Sequence, residues 1–384
     1  MHKLSLVILS AALGTATALA QLSPQPGSTS QGDVAQSTSS AAAYVYVSTS
    51  SGIAAYSAAS TGKLTAISGS PFSAHVDFLA GNGKYLFAAT TSSTDVESYA
   101  IESNGALRYI ASENAVNPDG GCGNANQIFL DHTGSTLYTV AYFGNECSNN
   151  TYEAFTIESS TGKLKYLGIY GDTESIEGPF SLIGNDKFGY TVDCYHYDGT
   201  ILGFQRNSNG SLKQLSFNIQ YPQEDTYGYC GFAQAADPTN HIAIAMQGFD
   251  GPGSSTTGTQ LGTYTVASNG NMSTTSTHAN MPTVSIGGLS ALNMAPSGKL
   301  LAVAGTKGLQ VYHFNGASPI THYTGLLTTS EVDQIFWDNS NHLYAIGEKA
   351  NKLWVFTVTP TGYSQVSGSP YTVHSPEGLK VLPL

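Results

Sequence analysis

The chain has 384 residues, of which only 10% are charged, and carries a formal charge of −12 at neutral pH. Its two arginines, Arg108 and Arg206, are too few to clamp a polyanion, because phosphate binding rests on clustered Lys and Arg, so nucleic acid is excluded as a partner. Abundant Ser, Thr, Gly and Tyr suit short strands and tight turns better than helices.

Residues 1–20, MHKLSLVILSAALGTATALA, join a basic start, an apolar stretch and a small-residue exit, and read as a cleavable secretory signal. Export to the periplasm or the extracellular space is therefore expected. No cysteine follows the exit to carry a lipid, and no later run approaches the roughly 18 apolar residues of a membrane helix. Residues 21–42, rich in Ser, Gln, Gly and Pro, are too polar to bury a core and are expected to form a disordered linker.

Residues 43–384 repeat themselves. An apolar residue followed by an aromatic or small one recurs at Tyr46, Phe87, Tyr138, Tyr190, Ala243, Ala302 and Tyr344, at intervals of about 40 to 60 residues. Each unit continues with an apolar-x-x-aromatic strand ending at Tyr56, Tyr99, Phe155, Phe204, Tyr264, Tyr312 and Phe356. Turns follow, such as STGKL at Ser60 and again at Ser160, SNGAL at Ser103 and SNGSL at Ser208, with glycine supplying the positive φ of a tight hairpin. Before each marker position runs a strand–turn–strand phrase, as in FLAGNGKYLF from Phe78 to Phe87. Four strands in about 50 residues make one propeller blade. The first unit lacks its leading strand, and the closing phrase SPEGLKVLPL supplies it, which also removes an exposed sheet edge. The predicted fold is all-β: a seven-bladed β-propeller of four antiparallel strands per blade, its first blade closed by the C-terminal strand.

Four cysteines in an exported chain favour disulfides. Cys122 precedes the inner strand of blade 3, and Cys147 lies between that blade's second and third strands; both loop types share one propeller face, which pairs the two. The same argument pairs Cys194 with Cys230 across blades 4 and 5. A metal-ligating or nucleophilic thiol is the alternative, although no CxxC spacing occurs.

The units and their closing phrase resemble the lactonase-type propellers related to 6-phosphogluconolactonase and to carboxymuconate-lactonizing enzyme. The likeness spans residues 44 to 384. It implies a pocket lined by His, Arg and Glu from two motifs, H-V-x-x-x-P-x-G followed by A-N-Y-G, and G-P-R-H followed by N-E. This chain departs from both. Gln127 stands at the His position and Tyr142 at the Asn position of the first; Gly178 and Pro179 fit the second, but Phe180 replaces its Arg, Ser181 its His, Asp193 its Asn and Cys194 its Glu. A phosphorylated lactone would find little compensation in an acidic protein without arginine in its pocket.

Lactone hydrolysis needs a base to activate water and a donor for the developing oxyanion. The loops expected on the funnel face offer His75, Glu177, His196 and His374 as catalytic candidates. Gln127, Asn145, Asp193, Tyr195, Asp198, Glu331 and Asp333 are candidates for ligand binding, with aromatic rings to stack on sugar faces and carboxylates to accept hydroxyl protons. No calcium-loop or phosphate-loop pattern occurs, so no metal and no cofactor are expected. The sequence reads as an exported monomer that, if catalytic, hydrolyses a neutral lactone or sugar-derived ring. The alternative is a non-catalytic propeller that binds a glycan, a small molecule or a protein on its funnel face.

Overall fold

The computed structural model describes residues 41–384 apart from 75, 115–124, 144–148, 174–175, 177, 196–197, 223–227, 250–254 and 256, and gives only the backbone of 125–126, 142–143, 149, 172–173, 195 and 198. The signal and linker assignments, and the Cys122–Cys147 pairing, lie outside the described residues.

The repeats fold as seven antiparallel sheets arranged in a ring. From the axis outward, blade 1 comprises Pro376–Pro383, Ala43–Thr49, Gly52–Ala58 and Leu64–Ala66; blade 2 comprises Phe78–Gly81, Tyr85–Ala89, Asp95–Ile101 and Leu107–Asn114. Blade 3 is built from Ala125–Leu130, Thr136–Phe143, Asn149–Ile157 and Leu164–Thr173, and blade 4 from Ser181–Leu182, Phe188–Tyr195, Asp198–Arg206 and Leu212–Gln214. Blade 5 contains Gly228–Ala236, His241–Phe249, Gln260–Val266 and Met272–Ser273; blade 6 contains Leu289–Met294, Leu300–Gly305, Gly308–Asn315 and Ser318–His322. Blade 7 holds Gln334–Trp337, His342–Gly347, Lys352–Thr359 and Gly362–Gln365, and its third strand also pairs with Tyr371–Thr372. Among the described residues there is no helix.

Closure occurs where the sequence predicts it. The C-terminal strand pairs antiparallel with the first strand of the ring, Val47 opposite Leu379 and Tyr44 opposite Leu382, so blade 1 is assembled from both ends of the domain. The seven marker residues, Tyr46 to Tyr344, all lie on second strands and all are 0% exposed. They are buried because each blade presses a face against the next, and the apolar side chains of the described residues accordingly form seven clusters, one at each seam.

The repeated hairpin phrase has a second role besides turning the chain. Its glycine packs on the preceding blade, and its carbonyls accept a hydrogen bond from that blade. Tyr46 Oη donates to Gly105 O (2.8 Å), Tyr138 Oη to Gly210 O (2.7 Å) and Tyr190 Oη to Gly270 O (2.6 Å). Blade 2 carries Phe87 at the marker position, and Tyr85 Oη bonds Ser159 O at 3.2 Å instead. Thr263 Oγ1 donates to Gly316 O (2.6 Å) and Tyr323 Oη to Thr359 O (2.8 Å) at the next two seams. At the last, Leu64 N donates to Tyr371 Oη (2.9 Å). Glycine is required in these turns twice over: at Gly210 φ is +91°, and a Cβ would sit 2.3 Å from Thr136 Oγ1.

Candidate functional site

The innermost strands all run from the connections between blades toward the hairpins that join first and second strands. The central channel therefore has two mouths: a funnel face formed by inter-blade connections and by loops between second and third strands, and a hairpin face opposite.

On the funnel face, blades 7, 1 and 2 gather the described polar groups. Asp77 ends the connection into blade 2 and accepts hydrogen bonds from Thr91 N (2.6 Å), Thr91 Oγ1 (2.7 Å) and Thr90 Oγ1 (3.0 Å). Glu377, at the start of the closing strand, hydrogen-bonds the same carboxyl. Burial pushes the Asp77 carboxyl up, but these hydrogen bonds outweigh it and hold the group below the usual carboxylate range. The contact depends on Gly378, whose Cβ would lie 2.3 Å from Asp77 O if it had one. The closing strand can approach Asp77 this closely only with glycine there.

The neighbouring sector belongs to blade 7. Glu331 pairs with Lys349 at 2.6 Å, which raises the ammonium, and Asp333 accepts from Glu348 N at 2.7 Å. Gln334 bridges to the closing strand, donating to Glu377 O (2.8 Å) and accepting from Leu379 N (2.9 Å). His374 is exposed, just ahead of that strand. Of the sequence candidates, Glu331, Asp333 and His374 thus share one sector of the rim. Gln127 sits across the channel, half-buried, its Oε1 3.6 Å from where a Cβ of Gly178 would lie.

Asp193, expected on a funnel-face loop, is instead 2% exposed within the second strand of blade 4. Its side chain follows the alternation of a strand buried on both faces rather than the exposure of a loop. Tyr195 and Asp198 are described by backbone alone. His75, Asn145, Glu177 and His196 lie outside the described residues. Glu377 was missed because a Pro-Glu-Gly phrase carries no chemical signature until ring closure brings it to Asp77.

The arginines are spoken for. Arg108 pairs with Glu102 at 2.9 Å on the outermost strand of blade 2, and Arg206 is buried against Asp131 and Asp186 on the hairpin side. Phe180, where the lactonase motif has its arginine, is 4% exposed and packs among Phe129, Tyr138, Tyr152 and Phe204. Cys194 and Cys230 form the expected disulfide, Cα–Cα 5.0 Å, between blades 4 and 5. Among the described residues no helix is long and apolar enough to cross a membrane, and no cluster of His, Cys, Asp or Glu could hold a metal ion.

No protein-family model matches the sequence, and no curated protein is significantly similar to it. Solved structures are. A candidate 6-phosphogluconolactonase from Bacteroides fragilis superposes with a TM-score of 0.63, covering 90% of this chain and 99% of its own at 16% identity. This chain has the lactonase-type propeller fold. A periplasmic gluconolactonase from Pseudomonas aeruginosa shares that fold at a TM-score of 0.62 and 14% identity, covering 88% of this chain and 99% of its own. A candidate 6-phosphogluconolactonase from Bacteroides uniformis does so at 0.62 and 15%, with the same coverage of 88% and 99%. At these identities the lactonase-type likeness is one of architecture, and the chemistry has to be argued from the residues.

Proposed function

We propose that this protein is an exported lactonase-like hydrolase that opens a neutral lactone or sugar-derived ring at the funnel mouth. The observation that carries the reading is the Asp77–Glu377 carboxyl pair on the rim. Glu377 hydrogen-bonds the Asp77 carboxyl, and three other donors also favour the ionised form of Asp77. Asp77 is then the base that takes a proton from water as it attacks the lactone carbonyl. Glu377 returns a proton to the ring oxygen as the acyl–oxygen bond breaks. One lactone and one water give one hydroxy acid. His374, and His75 two residues before Asp77 in sequence, are the proposed donors for the developing oxyanion, while Glu177 and His196 remain proposed alternatives.

The neutral substrate follows from the engaged cations: both arginines are paired, and Lys349 on the rim is held by Glu331. The fold likeness to a periplasmic gluconolactonase, over 88% of this chain, supports both the reaction class and export, and a disulfide suits an oxidising compartment. The test is a pH-stat assay of purified protein on a panel of neutral aldonolactones and their phosphorylated counterparts. Turnover of a neutral lactone is expected, with Asp77→Asn and Glu377→Gln each lowering kcat/KM by about 100-fold or more. Inactivity across the panel, or unchanged turnover in both variants, refutes the reading and leaves a non-catalytic binding propeller.

A further inference from the structure

We infer that the hairpin-face mouth of the central channel is a second binding site, for a small organic monocarboxylate, with Lys380 as the counter-charge. A cavity of about 350 Å³ opens there, lined by Lys380, Phe336, Leu79, Ile128, Asp131 and His132, which come from blades 1, 7, 2 and 3. Its lining starts at Leu79 and Lys380, further along the innermost strands than Asp77 and Glu377, and extends to the hairpin residues Asp131, His132, Thr133 and Gly134 on the face away from the funnel rim. A neighbouring hollow of about 410 Å³ on the same face shares His132 with it.

Among the described residues, Lys380 is the only lysine or arginine on an innermost strand. Its register is fixed, since it pairs with the fully buried Tyr46 in the closed blade. The side chain is half-buried, with Nζ 5.0 Å from the centre of the Phe336 ring. Among the described residues no carboxylate forms an ion pair with it. Asp131, the carboxylate lining the same cavity, is already engaged: it is ion-paired with Arg206 and accepts from Ser135 N (2.9 Å) and Thr136 N (3.2 Å).

The cavity therefore holds a partly desolvated ammonium beside a ring face and aliphatic surface, and the one carboxylate in the lining, Asp131, is paired with Arg206. Burial pushes this ammonium down to about 8, a penalty that an anion beside it would relieve. A single point charge without an arginine fork matches one carboxylate better than a phosphate dianion, which a protein of formal charge −12 would repel. Leu79, Ile128 and Phe336 favour a ligand whose remaining body is apolar or presents an apolar face.

The test uses isothermal titration of the full chain with sodium benzoate and sodium D-gluconate as probes, and sodium phosphate as comparator. Binding of at least one carboxylate is expected, weakened at least tenfold in Lys380→Met, a near-isosteric change that keeps the strand packed, and unchanged in Lys349→Met on the other face. Circular dichroism confirms that each variant is folded. Equal binding to Lys380→Met, equal affinity for phosphate, or no binding of either carboxylate overturns the assignment.

Discussion

Replacing Tyr190 by Phe removes one oxygen atom from the seam between blades 4 and 5 and nothing else. That oxygen donates to Gly270 O at 2.6 Å, and both residues are buried, so no water stands ready to replace it. Burial pushes the phenol well above its usual range, which keeps it a donor at any pH where the protein is folded. The loss comprises the net value of the bond, about 1 kcal/mol, plus the desolvation of an orphaned carbonyl, for a total of about 2 kcal/mol. This corresponds to roughly a 30-fold shift in the folding equilibrium. Because unfolding entropy grows by about 2.1 cal/mol/K per residue, the melting temperature of so large a domain falls by only about 3 °C. Urea unfolding followed by Trp337 and Trp354 fluorescence is the sharper assay. Blade 2 provides the internal comparison: its seam bond comes from Tyr85 at 3.2 Å in a partly exposed setting, so Tyr85→Phe should cost about 0.5 kcal/mol. A Tyr190→Phe cost below about 0.3 kcal/mol, or a larger cost for Tyr85→Phe, would refute the view that hydroxyl-to-hairpin bonds join the blades.

Two further outcomes are expected. Replacing Cys194 and Cys230 together by Ala opens a loop with a sequence separation of 36, and the chain-entropy argument puts the loss at about 3 to 4 kcal/mol, readable as a lower urea midpoint under oxidising conditions; an unchanged midpoint would contradict it. Lys380→Met should stabilise the protein near neutral pH by about 2 to 3 kcal/mol, because the folded chain holds this ammonium down at about 8 against 10.5 for a free lysine. Between those two values the unfolded chain binds the extra proton, so wild-type stability rises with pH while the variant's curve lacks that rise; parallel curves from pH 7 to 10.5 would contradict it.

The architecture was legible because it is written in local, repeated signals. Each marker residue needed only an apolar neighbour and a following hairpin to be placed, and all seven are buried as a blade-to-blade face requires. The pairing of Leu379 with Val47 and the Cys194–Cys230 disulfide followed from the same frame. The proposed catalytic pair was harder to read because it is made by closure. Asp77 and Glu377 meet only once the last strand enters blade 1, and Gly378, which admits the contact, looks like any other glycine until the Asp77 carbonyl is placed beside it. Asp193, read as a funnel-loop residue, lies instead on a strand and is 2% exposed, because the second strand of blade 4 runs further than its polar residues suggest. Lys380 read as one residue of a sealing strand, since whether it faces seam or channel depends on register with Tyr46.

The composite first blade has a topological consequence. Ala43 lies opposite Pro383, and Leu384 N still donates to Ala42 O at 3.0 Å, so the two ends of the ring are a short linker apart. A circular permutant that joins them covalently and begins at an outer hairpin, such as the one at Asn104, would turn the split blade into a continuous one and transfer the task of fastening the circle to blade 2.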